Sequence, residues 1–128
     1  MERKIIAFAA FLGATAIVLG AFGAHALKEK LSPDMLAVFE TGVKYQMYHA
    51  LLLLFTGCMP FIAQKAKKAI LALVATGVLF FSGSLYFLAC NAMFSFDFKK
   101  IGIITPVGGL LLIAAWVVLF LHIIKAKR

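Results

Sequence analysis

Residues 101–124 read IGIITPVGGLLLIAAWVVLFLHII, without one Asp, Glu, Lys or Arg. At 1.5 Å of rise per residue, a helix of about 20 such residues crosses the ~30 Å hydrocarbon layer of a bilayer. The apolar character is continuous, not alternating, and in lipid only helices and closed barrels satisfy their own backbones. Three more runs free of those charges cover residues 5–27, 45–64 and 69–96. The pattern predicts an all-α integral membrane protein, a bundle of four transmembrane helices at about 5–27, 45–64, 69–94 and 101–124. Residues 1–128 form one membrane domain in this reading.

Composition agrees. Of the 128 residues 64% are hydrophobic and 14% charged, with a mean hydropathy of +1.03. A soluble domain carries about a quarter charged residues, and no core of this size could hide so much apolar surface. The net charge of +8 sits in short clusters beside the apolar runs. Basic clusters in those positions meet lipid head groups and set topology, so no nucleic-acid partner is expected. Cys58 and Cys90 lie inside apolar runs and form no C-x-x-C pair, so neither a disulfide framework nor a redox motif is indicated. Arg3-Lys4, the first run and Ala24-His25-Ala26 mimic a secretory signal, but the run exceeds a signal core of about 7–15 residues and reads as a retained span.

Orientation follows the basic residues. Arg3, Lys4, Lys65, Lys67, Lys68, Lys125, Lys127 and Arg128 flank one side, against Lys28, Lys30, Lys44, Lys99 and Lys100 on the other. The richer side is cytoplasmic by the positive-inside rule, which puts both termini in the cytoplasm. Between the first two spans, Ser32-Pro33-Asp34 reads as an N-cap, a first-turn proline and an acid at the positive helix end. Leu31, Met35, Val38, Phe39 and Gly42 follow at helical spacing, which predicts a short amphipathic interfacial helix at about 33–42.

Small residues mark packing faces. Gly13, Gly20 and Gly23, with Ala9, Ala16 and Ala24, stripe the first span; Gly77, Ser82, Gly83 and Ser84 mark the third, and Gly108 and Gly109 the fourth. Helices in lipid associate where backbones approach closely, which small residues permit. Pro106, about a turn and a half into the expected fourth helix, should kink it and leave the Gly102 carbonyl without its usual donor.

Polar residues inside the runs are the candidate functional groups, because at that depth they must find partners. Tyr45, Gln46, Tyr48 and His49 open the second span, and depth counting adds His25, Tyr86, Asn91 and Thr105 in the same outward half. His122, at the opposite end beside Lys125, is expected to snorkel. The outward cluster has three readings. One is a hydrogen-bonded network that fixes helix register. Another is a cavity for a small molecule or a proton, organised by His25 and His49 together. The third is a metal site from His25, His49 and Glu40 or Cys90, whose ligands would have to converge from separate helices without any H-x-x-x-H motif. No metal or other cofactor is implied. No acidic residue lies within a spanning run to orient a histidine, so nucleophilic catalysis has no support.

Four blocks carry a resemblance: residues 20–27 (GAFGAHAL), 41–50 (TGVKYQMYHA), 81–86 (FSGSLY) and 104–109 (ITPVGG). Together they resemble the YgdD/YwdK-like family of small bacterial membrane proteins, a family of unknown function with animal transmembrane relatives. The resemblance implies four spanning helices in a bacterial cytoplasmic membrane and no activity. The leading expectation is a non-enzymatic membrane protein acting through lipid or protein partners, with self-association possible. The alternative is a small oligomeric transporter or channel for a small molecule, proton or ion.

Overall fold

The start signal at Ser32-Pro33-Asp34 works as read. The Ser32 hydroxyl accepts the Met35 amide at 3.2 Å, and Pro33 occupies the first turn. The expected stop before residue 45 does not occur. In the computed structural model, which describes residues 2–91 and 102–125, a single helix α2 runs from Pro33 to Cys58. The segment at 33–42 is its first part, not a separate interfacial element. Thr41-Gly42-Val43-Lys44 contains no proline, and Gly42 serves packing: a Cβ there would stand 2.7 Å from the Tyr86 ring. Helix α2 instead ends six residues before the expected 64, because Pro60 drives Met59 out of the helical region to φ −82°, ψ 118°.

The remaining limits follow similar local reasons. Helix α1 (Glu2–Phe22) continues into a π-helical turn at Gly23–Leu27, so the first span keeps its expected length. Helix α3 (Gln64–Ala89) begins earlier than residue 69, since Gln, Ala and Lys are good helix formers. Lys65, Lys67 and Lys68 are therefore in its first turns. Helix α4 (Ile104–Lys125) begins later than 101, and the Thr105 amide donates to the Gly102 carbonyl at 3.3 Å. Pro106 thus falls in the first turn, where no amide is needed, and not a turn and a half into the helix as expected, so it costs no interior hydrogen bond. The expected extension of the third helix through 94 falls partly among residues outside those described.

Each helix packs on its chain neighbours in up-and-down order. Glycines set the closest approaches. An added Cβ at Gly57 would meet Ile6 at 2.9 Å, closing α1 on α2; Gly42 closes α2 on α3. Between α3 and α4, a Cβ added at Gly77 would stand 2.6 Å from the Leu112 side chain, and one at Gly108 would fall on the Phe81 backbone nitrogen and the Phe80 carbonyl carbon. Of the packing glycines expected from sequence, Gly23 and Gly20 would bring an added Cβ to 3.0 and 3.4 Å from Phe39 and Val43. A Cβ at Gly13 or Gly109 would make an ordinary contact at 3.9 or 3.6 Å, and one at Gly83 would meet nothing within 4 Å, so Gly83 faces open space instead of a helix.

Three helical segments are long and apolar enough to cross a membrane, Glu2–Leu27, Gln64–Ala89 and Ile104–Lys125. Helix α2 is as long as α3 but carries Lys44, Gln46 and His49 through its middle.

Candidate functional site

Gln46 is 5% exposed in the middle of α2 and bonds three helices together. Its amide nitrogen donates to the Leu12 carbonyl at 2.9 Å and to the Thr15 hydroxyl at 2.7 Å on α1. Its amide oxygen accepts the Tyr86 hydroxyl of α3 at 2.6 Å. One turn away the Ser82 hydroxyl donates to the Gly42 carbonyl at 2.7 Å, where the glycine lets the helices meet. The amide is used at both ends, which is what a buried side chain of this kind needs in hydrocarbon.

His49 belongs to a second limb. Its Nδ1 lies 2.7 Å from the Tyr45 carbonyl, and Trp116 Nε1 donates to its Nε2 at 3.1 Å. An indole N–H only donates, so Nε2 must accept and Nδ1 must carry the proton. The ring is the neutral Nδ1–H tautomer, held between a carbonyl and an indole. Trp116 sits near the middle of α4, so this limb crosses the bundle near mid-depth, deeper than the outward half where counting placed it.

The other expected residues disperse. His25 is exposed on the π-helical turn. Gly23, two residues before it, faces Phe39, and Phe39 is ten residues from His49 on α2, about 15 Å by helix rise. His25 and His49 therefore do not share a site. The expected pairing failed because α2 starts at residue 33, which slides His49 deeper than a helix starting at 45 would. Tyr45 is 40% exposed, its ring 5.0 Å from Phe81 and 5.4 Å from Tyr48, which is itself exposed. Thr105 bonds Ser84, and Asn91 lies by Lys30, Ser32 and Met35 at the end of α3. The candidate metal ligands His25, His49, Glu40 and Cys90 do not converge; among the described residues no three His, Cys, Asp or Glu side chains gather.

Sequence reading missed four participants. Thr15 is the single hydroxyl in the first run, and Trp116 is a tryptophan far from either interface, so both carried a signal. Lys67 and Glu2 carried none. Lys67 is 2% exposed and donates to the Glu2 carboxylate and the Gly57 carbonyl, each at 3.2 Å, while the Gln64 amide also bonds Glu2. His122 does not merely snorkel: its Nε2 accepts the Ala63 amide at 3.1 Å, satisfying the N-cap residue of α3. These bonds gather the start of α1, the end of α2, the start of α3 and the end of α4 at one end of the bundle.

Two lateral grooves flank these limbs. The larger, about 530 Å³, lies between α1 and α3 with Gln46 at its floor and Gly83 in its wall. The smaller, about 310 Å³, lies between α2 and α4 beside His49 and Trp116.

Apolar helices with buried amide and imidazole bonds define a small helical membrane protein. Residues 19–109 match the family described as "Protein of unknown function (DUF423)", and the chain belongs to this family. It is similar to the UPF0382 membrane protein SH2409 of Staphylococcus haemolyticus, 43% identical over 106 residues and 83% of each chain. It is also similar to YwdK of Bacillus subtilis, 37% identical over 86% of this chain and 87% of the relative. The inner membrane protein YgdD of Escherichia coli is 33% identical over 99% of this chain and 94% of its own. No solved structure matches the chain.

Proposed function

We propose that this is a four-spanning, non-enzymatic protein of the bacterial cytoplasmic membrane that acts by holding a lipid in its α1–α3 groove. The fourth span is α2. Its 26 residues give about 39 Å of helix, enough to cross ~30 Å of hydrocarbon. Its polar side chains Gln46 and His49 are buried and bonded to α1, α3 and α4, so their polar atoms are satisfied within the bundle. The inner-membrane name of YgdD supports the location, and the excess of Lys and Arg beside residues 3, 65 and 125 supports cytoplasmic termini.

The observation that carries the lipid reading is the groove. Its walls run from Phe8 to Leu19 on α1 and from Ala75 to Tyr86 on α3, about 16 Å in each case, close to one leaflet of hydrocarbon. The lining is almost wholly apolar, and the polar groups at its floor are spent on one another, which suits an acyl chain and offers nothing to an ion. Gly83 widens it without touching a neighbour. Gly83→Leu should therefore fill the groove and leave the fold intact. Native mass spectrometry of protein extracted in mild detergent should find lipid retained by the natural chain and reduced at least fivefold in Gly83→Leu, with the same thermal stability. Equal retention in both would refute the assignment.

A further inference from the structure

We propose that the second groove, between α2 and α4, binds the ring of a neutral membrane-soluble quinone. It is a separate site from the lipid groove, and it rests on the reading that α2 crosses the membrane.

The lining decides the ligand's chemistry. The groove of about 310 Å³ is open on one side and lined by Tyr45, His49, Phe81, Gly109, Leu112, Ile113 and Trp116. That volume is at the small end of ligand pockets, suited to a ring system and not to a whole lipid. Four of the lining side chains are aromatic. The Tyr45 and Phe81 rings lie 5.0 Å apart, and His49 stands edge-on to Trp116 at 6.0 Å. Such walls reward a planar ring through stacking and edge contacts, which a saturated chain does not exploit. No charged residue lines the groove, so a charged ligand would enter without a counter-charge.

The polar groups further restrict the choice. Trp116 Nε1–H is already given to His49, and both nitrogens of His49 are used. The Tyr45 hydroxyl bonds nothing among the described residues, although its ring is packed in the groove wall. Tyr45 is 40% exposed, so its unused hydroxyl is open to a ligand, and a donor is matched there by an acceptor. A ring carbonyl is that acceptor. The tail would leave sideways over the exposed Ile113, Val117 and Phe120 of α4.

The chain has a single tryptophan, so its fluorescence reports on this groove directly. The full chain in phosphatidylcholine nanodiscs would be titrated with menadione and with a short-tailed ubiquinone. Saturable quenching is expected. Gly109→Leu, which fills the groove, should raise the half-saturating concentration at least tenfold. Tyr45→Phe, which removes the donor and little else, should raise it about fivefold, the worth of one hydrogen bond. Quenching that rises linearly and equally in all three proteins is collision in the bilayer and would overturn the proposal. So would saturable quenching unchanged in Tyr45→Phe, or displacement of both quinones by an equimolar sterol. Labelling of the two ends of α2 reads the crossing itself independently of quenching, so failure of one reading is distinguishable from failure of the other.

Discussion

Gly108→Leu should break the α3–α4 contact and cost the largest share of stability of any single substitution considered. Helix α4 buries only Gly108, Leu112 and Ala115, so its attachment runs along one narrow stripe. At Gly108 an added Cβ would fall on the Phe81 nitrogen and within 2.8 Å of the Phe80 carbonyl carbon. Those are backbone atoms of a helix and cannot turn aside as a side chain end can. Overpacking of this kind costs about 1–3 kcal/mol, and a rigid neighbour puts Gly108 at the top of that range. Lipid offers no compensating hydrophobic drive to hold the helices together at a greater distance. The neighbouring glycine supplies the control. A Cβ on Gly109 would be 3.6 Å from the Phe81 ring, an ordinary contact, so Gly109→Ala should be silent. Thermal unfolding in detergent, followed by Trp116 emission, should separate the two variants by many degrees. Equal midpoints would mean that α3 and α4 do not meet at Gly108.

Gln46 carries the second large effect. Replacing it by Leu keeps the approximate volume and removes three hydrogen bonds, to Leu12, Thr15 and Tyr86. Interhelical hydrogen bonds in membrane proteins are worth about 0.6 kcal/mol each and up to about 1.7, so the expected loss is about 2 kcal/mol. Gln46→Glu makes the sharper test. Ionised, the carboxylate could still accept from Tyr86 but would lose the amide donor and set charge against the Leu12 carbonyl. Protonated, it would regain a donor only by taking up a proton, which is costly in alkaline solution, so the comparison is made at about pH 9. Glu should therefore be worse than Leu, although it resembles Gln more closely in shape. A ranking with Leu worse than Glu would show that shape, and not donor–acceptor matching, governs this position.

Why some of this was legible and some not has physical reasons. Length and the absence of charge fixed the apolar helices, because a bilayer sets a minimum span and tolerates few exceptions. Gln46 and His49 stood out because polar side chains at depth must be partnered. Their partners Thr15 and Trp116 did not, since both lie on other helices, and sequence gives no interhelical register. The His25–His49 pairing depends on where α2 begins, and the signal at Ser32, which suits a separate short helix equally well, opens α2 itself. Pro106 was misplaced for a similar reason: a shift of three residues in the start of α4 turns an interior proline into a first-turn one. Lys67 counted as a topological charge, yet it is buried against Glu2, a contact between residues far apart in sequence that no local pattern announces.

The central claim is that α2 crosses the membrane inside the bundle, so that Gln46 and His49 are bonded within it. Lys30 and Lys65 are exposed residues that flank α2 at its two ends. In a background of Cys58→Ala and Cys90→Ala, single cysteines at 30 and 65 would be treated with an impermeant maleimide in intact cells, after opening the outer membrane where there is one. Labelling at 30, with protection at 65 until the membrane is permeabilised, is the predicted result. The same accessibility at both positions would put the two ends of α2 on one side and contradict the account.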